Sequence, residues 1–119
     1  MYWIGESMDS DIFFNELDAA ITVCARNGII LFMNEKACKT LEKYGGRDLI
    51  GKNLFDCHSG NSCEIIKNLM EEDKSNTYTV TKNNRKKLVH QTPWHKDGKI
   101  MGLIEFSVDL PEDMPNYQR

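Results

Sequence analysis

Asn27 to Leu41 reads NGIILFMNEKACKTL, and the fold turns on how this stretch is divided. Asn27-Gly28 lies between two apolar, β-branched runs, Ala20 to Ala25 and Ile29 to Met33. Both turn residues tolerate positive φ, so the pattern predicts a tight β-hairpin. Asn34 then interrupts the apolar run just where EKACKTLEKYGG begins. Its side chain is of the type that accepts from free amides in a first helical turn, and Gly45-Gly46 is a stop signal. Strand, turn, strand and a capped helix therefore occupy Ala20 to Tyr44. Ala37, Cys38 and Leu41 make the helix's buried face.

Upstream, Ser7 to Asp18 has Met8, Ile12, Phe13 and Leu17 on one broad stripe, which predicts a short amphipathic helix. Downstream, RDLIGKNLFDCHSG (Arg47 to Gly60) mixes glycines with short apolar pairs, a link with one or two helical turns. Asn61 with Glu64 forms a capping-box pattern, opening a helix whose stripe is Ile65, Ile66, Leu69 and Met70. Three strands follow, Thr77 to Thr81, Lys87 to Trp94 and Ile100 to Asp109. KNNRKK (Lys82 to Lys87) is expected to be a solvated hairpin tip, and Asp97-Gly98 marks another hairpin. Pro93 requires an edge or a bulge. In the last strand Ile104, Phe106 and Val108 share a wholly apolar face, while Leu103, Glu105 and Ser107 share a mixed one. The tail from Pro111 is expected to be extended. Five strands in one antiparallel sheet with helices gathered on one face make an α+β architecture.

Bulk properties narrow the function classes. The chain has 119 residues, a net charge of −3, 40% hydrophobic and 28% charged residues. That is the composition of one globular domain, with no basic excess to draw nucleic acid. No apolar run approaches the roughly 20 residues of a membrane span. The start MYWIGES lacks a signal peptide's features, so a cytoplasmic location is expected. The four cysteines, Cys24, Cys38, Cys57 and Cys63, are then expected as free thiols.

Cys57-His58, followed by Cys63, is the conspicuous chemical grouping. As nucleophile and base it lacks an orienting third group, and adjacent side chains rarely face each other. As a metal site it would need His90 or His95, which the strand pattern puts on opposite faces; no metal site and no catalytic residue is therefore expected. The remaining expectation is a link that delivers the chain into the next helix.

NGIILFMNEKACKTL, LIGKNLFD (Leu49 to Asp56) and TPWHKDGKIMGLIEFSVD (Thr92 to Asp109) together resemble the PAS domain, a small sensory module of bacterial signalling proteins. The resemblance covers roughly Leu17 to Asp109. It implies a PAS-like five-stranded antiparallel sheet cupped around helices, and an N-terminal helix on or near the outer face. Residues 1–18 would be a capping and dimerisation helix, 19–110 the domain, and 111–119 a tail.

The resemblance also implies a core pocket for a small organic ligand of unknown identity. Met33, Phe55, Cys57, His58, Ile66, Leu69, Met70, Val89, Gln91, Ile104 and Phe106 are its expected lining. Gln91, polar on an apolar wall, would need a partner. The family's flavin-binding cysteine motif is not matched, and the long helix has no histidine for haem, so only His58 remains as a haem ligand. Trp3, Ile12, Phe13, Leu88, Trp94, Met101 and Leu103 are expected on the outer, dimer-forming face together with His90. The last strand is followed by only ten residues, so signalling through contact with a separate protein is expected. An adaptor or dimerisation module with no ligand is the alternative.

Overall fold

The computed structural model describes residues 12–56 and 60–119. Its strands are β1 (Ala20–Ala25), β2 (Ile30–Met33), β3 (Asn76–Lys82), β4 (Arg85–Lys96) and β5 (Lys99–Asp109). Two α-helices, α1 (Glu35–Thr40) and α2 (Gly60–Glu72), lie between β2 and β3 in the chain. All strands pair antiparallel in the order β2-β1-β5-β4-β3, so the last strand fills the middle of the sheet.

The first hairpin forms as its turn residues dictate. Gly28 has φ of 94°, and its amide donates to Ala25 O at 2.9 Å. The link after α1 is stitched along this hairpin: Ile30 N donates to Lys52 O and Leu54 N to Gly28 O, both at 2.9 Å. A side chain at Gly28 would collide with Asn53 and Phe55, so the close approach of hairpin and link requires the glycine.

Asn34 caps α1 as expected, its Oδ1 accepting from Ala37 N at 3.1 Å. It does more than cap. The same oxygen accepts from Ile21 N at 3.0 Å, and Nδ2 donates to Ala19 O at 2.8 Å and Phe14 O at 2.9 Å. Its side chain is 0% exposed. The helix is shorter than the sequence predicts. Thr40 Oγ1 bonds back to Lys36 O at 2.8 Å, a local contact that weakens helix continuation. Two 3₁₀ turns, Glu42–Tyr44 and Gly46–Leu49, replace the last α-turn and fold Leu49 into the core.

Asn61 lies inside α2 rather than capping it, because the helix already includes Gly60. The strands β3 and β4 run longer than predicted and meet at Asn83-Asn84, both with positive φ, so the basic run is a hairpin tip. Pro93 lies in β4 beyond the end of β3, whose pairing stops at Gln91. It therefore withholds no amide from a partner on that side. A bulge follows between Trp94 and His95.

Opposed residues share a face of an antiparallel pair. Cys24 opposes Leu103, Thr22 opposes Glu105, and Gln91 opposes Glu105. This is the inner face, on which Cys24 and Leu103 join Ile30, Met33, Ala37, Leu49, Leu54, Ile66 and Met70 in one core. Ile21, Val23, Leu88, Ile104, Phe106 and Val108 share the outer face and are half-buried. In β1 and β5 the larger apolar side chains thus point outward.

Residues 12–15 form a helical turn, with residues 16–18 outside it, so the predicted helix ends three residues early. Ile12 and Phe13 are 70% and 74% exposed. The rest of that helix, from Ser7 to Asp11, and Trp3 lie outside the described residues.

Candidate functional site

The inner face carries a line of polar side chains across three strands. Asn76 Nδ2 on β3 donates to Gln91 Oε1 on β4 at 3.1 Å, and Gln91 Nε2 donates to Glu105 Oε1 on β5 at 2.9 Å. Gln91 is only 6% exposed, so both ends of its amide must be satisfied. The partners that the sequence requires for Gln91 are thus Glu105 and Asn76. Gln91→Leu is expected to cost about 1–3 kcal/mol, because it strips a donor from Glu105 and an acceptor from Asn76. Chemical denaturation at unchanged m-value would measure this.

Beside this line lies a cavity of about 350 Å³, within the usual size range for small-molecule sites. Thr22, Cys24, Leu103 and Glu105 form its sheet wall, and Ile30 adds to it from β2. Leu41, Tyr44, Leu49 and Leu54 from the turns after α1, with Ile66 of α2, close the other side. Burial pushes the Cys24 thiol above its ordinary pKa; a hydrogen bond from the Leu103 backbone opposes this, and the charge of Glu105 adds to it. Burial likewise raises the Tyr78 hydroxyl, again with Glu105 adding. A larger concavity of about 830 Å³ opens on the surface among Asp18, Glu35, Lys36 and Arg47. It is shallow and charged, and it lacks the apolar enclosure that holds a small molecule.

The predicted lining only partly coincides with this cavity. Ile66 lines it. Met33 and Met70 are core residues, with Phe55 and Leu69 packed against that core. Val89 and Gln91 are buried on the inner face, away from the lining. Cys57 and His58 lie outside the described residues.

Two strand assignments are corrected. Ile104 and Phe106 belong to the outer face, opposing Val23 and Ile21. Leu103, expected outside, is 4% exposed in the core. The alternation in β5 shows which residues share a face, and the register with β1 turns Ile104 and Phe106 outward. Leu88 is on the outer face as expected, and Met101 is exposed beside the bulge. Trp94 lies over Gly102 and donates Nε1–H to Cys24 O at 3.0 Å.

Apart from Ile66, sequence reasoning missed the whole lining, including its polar members Thr22, Tyr44 and Glu105. The signal was present in Glu105, an acid set between Ile104 and Phe106 in the middle of β5. Among the described residues no group of three or more His, Cys, Asp or Glu side chains could hold a metal ion. Among the same residues no helix is long and apolar enough to cross a membrane.

Similarity to known proteins points the same way as the topology. A structure of a C-terminal domain from Streptococcus mutans superposes with a TM-score of 0.71 at 15% identity, covering 87% of this chain and 84% of that one. The Vibrio cholerae VqmA dimer, described in the absence of its target DNA as informing LuxR-type receptors, gives 0.68 at 18% identity. That match covers 88% of this chain but 52% of VqmA, so the chain spans about half of that protein. The PAS domain of the histidine kinase ThkA gives 0.63 at 18% identity, covering 78% of this chain and 100% of that domain. At these identities the likeness is one of fold. No curated protein matches the sequence. The sequence pattern of a PAS domain family, however, matches residues 18–112, most of the chain. Sequence pattern and strand order agree, and the chain belongs to the PAS domain family.

Proposed function

We propose that this chain is a cytoplasmic sensory module, without catalysis of its own, that binds a small organic ligand between its sheet and helices. Occupancy would be passed to a partner through the outer face of the sheet, where a second copy of the chain docks. The observation that carries the reading is the part-open cavity between sheet and turns, apolar except for Thr22, Tyr44 and Glu105 in its lining. Family membership supports it, since PAS domains are generally sensory. The outer patch of Ile21, Val23, Leu88, Ile104, Phe106 and Val108 supports the docking face, because half-buried apolar side chains gathered on one surface mark interaction sites. The proposed helix with Trp3, Ile12 and Phe13 would add to that interface.

Native mass spectrometry of freshly purified protein tests both halves at once. The expected spectrum shows a dimer carrying added mass that is lost on denaturation. A monomer without added mass, unchanged on incubation with a metabolite extract, would refute the reading. A dimer that never takes up a small molecule would instead favour the ligand-free adaptor.

A further inference from the structure

The cavity's chemistry narrows what it accepts. Glu105 is the single charged side chain in the lining, which contains no lysine, arginine or histidine. Among the described residues no ion pair involves it. Its carboxylate is held from behind, since the chain of donors from Asn76 through Gln91 ends on Oε1. A carboxylate has about four acceptor positions, and Gln91 occupies one of them. What remains is a positioned acceptor against an apolar wall, with no cation opposite. Glu105 is half-buried, and a carboxylate in such surroundings gains from a paired cation or donor.

We propose that the ligand is a small, largely apolar molecule bearing a protonated nitrogen, an ammonium or amidinium, that donates to the Glu105 carboxylate. The inference rests on reading the cavity as a ligand site. Leu41, Leu49 and Ile66 would enclose the apolar part, while Thr22 flanks the polar end beside Glu105. A ligand carboxylate would meet Glu105 with like charge and no compensating base, so anionic molecules of the same shape are excluded.

Titration of the ¹⁵N-labelled full chain with benzamidine, benzoate and acetophenone, followed by amide chemical shifts, tests this. These probes share a ring and differ in carrying a cation, an anion or a neutral acceptor. Benzamidine is expected to shift the Thr22, Leu103 and Glu105 amides and to bind roughly 10- to 100-fold more tightly than benzoate. Glu105→Gln is expected to remove most of that preference without weakening acetophenone binding, since the glutamine amide can donate to a ketone. If benzoate binds as well as benzamidine, or Glu105→Gln weakens acetophenone and benzamidine equally, the inference fails and the cavity reading survives. If none of the three enters the cavity, both fail. The comparison of probes on the parent chain needs no variant, so a poorly folding Glu105→Gln would not spare the inference.

Discussion

Gly102→Val is expected to leave the chain unable to form its sheet, and Gly102→Ala to lower the melting temperature by well over 10 °C. A Cβ at this position would lie 1.9 Å from the backbone oxygen of Cys24 and 2.6 Å from Trp94 Nε1. The first obstacle is main chain, which cannot rotate away. Relief would require β1 and β5 to separate, and their six paired residues, Ala20 to Ala25 against Gly102 to Ser107, tie the first hairpin to the rest of the sheet. Ordinary overpacking costs about 1–3 kcal/mol; a clash with a central strand's backbone belongs above that range. Each kcal/mol lowers the midpoint by roughly 4–8 °C in a domain somewhat smaller than this one. Thermal melting followed by circular dichroism would measure the effect. Gly60→Ala is the control, since nothing lies within 4 Å of its added Cβ, and it should melt within a few degrees of the parent.

The second large effect is expected at Asn34. Replacing it by leucine keeps the branching but removes all four hydrogen bonds, stranding the amides of Ile21 and Ala37 and the carbonyls of Phe14 and Ala19. Orphaned buried groups cost about 1–3 kcal/mol each, although relaxation and water would recover part of the sum. A loss of about 3–5 kcal/mol is expected from denaturant unfolding, a large share of a typical domain's stability. Asn34→Asp gives a second, chemically distinct signature. It keeps the two acceptor contacts but sets a carboxylate against the Phe14 and Ala19 carbonyls. Its folded-state pKa is thereby raised above the unfolded value. Stability relative to the parent should therefore recover as pH falls through the folded pKa, because the protonated carboxyl regains one donor. A variant that loses stability in parallel with the parent at every pH would contradict this account of the site.

What the sequence made legible was whatever is encoded locally. Asn27-Gly28, the Asn34 cap and the order of the elements are all written within a few residues of where they act. Even at Asn34 only one of the four bonds, to Ala37 three residues on, belongs to the cap; the others reach back 13 to 20 residues to segments whose proximity exists only in the fold. The inner and outer faces of β5 were misread for a related reason. Alternation shows that Ile104 and Phe106 share a side, but the pairing of Cys24 with Leu103 decides which side that is. The usual rule that the more apolar face lies inside fails here, because the helices and turns cover the face of Cys24 and Leu103 and leave the face of Ile104 and Phe106 on the other side. The cavity was harder still, since its lining comes from three strands, three 3₁₀ turns and α2. The extended tail needed no long-range information, and residues 110–119 contain neither helix nor strand.

One contact has an optical consequence. Trp94 stands on the outer face, yet its indole N–H ends on the carbonyl of Cys24, whose side chain lines the cavity on the inner face. The sheet is one residue thick there, so a single backbone group is shared between the interior and the exterior of the domain. Indole emission responds to hydrogen bonding at its nitrogen. The chain therefore carries a fluorophore on its outer surface wired to the wall of its own cavity, a native dye that reports from outside on what happens within.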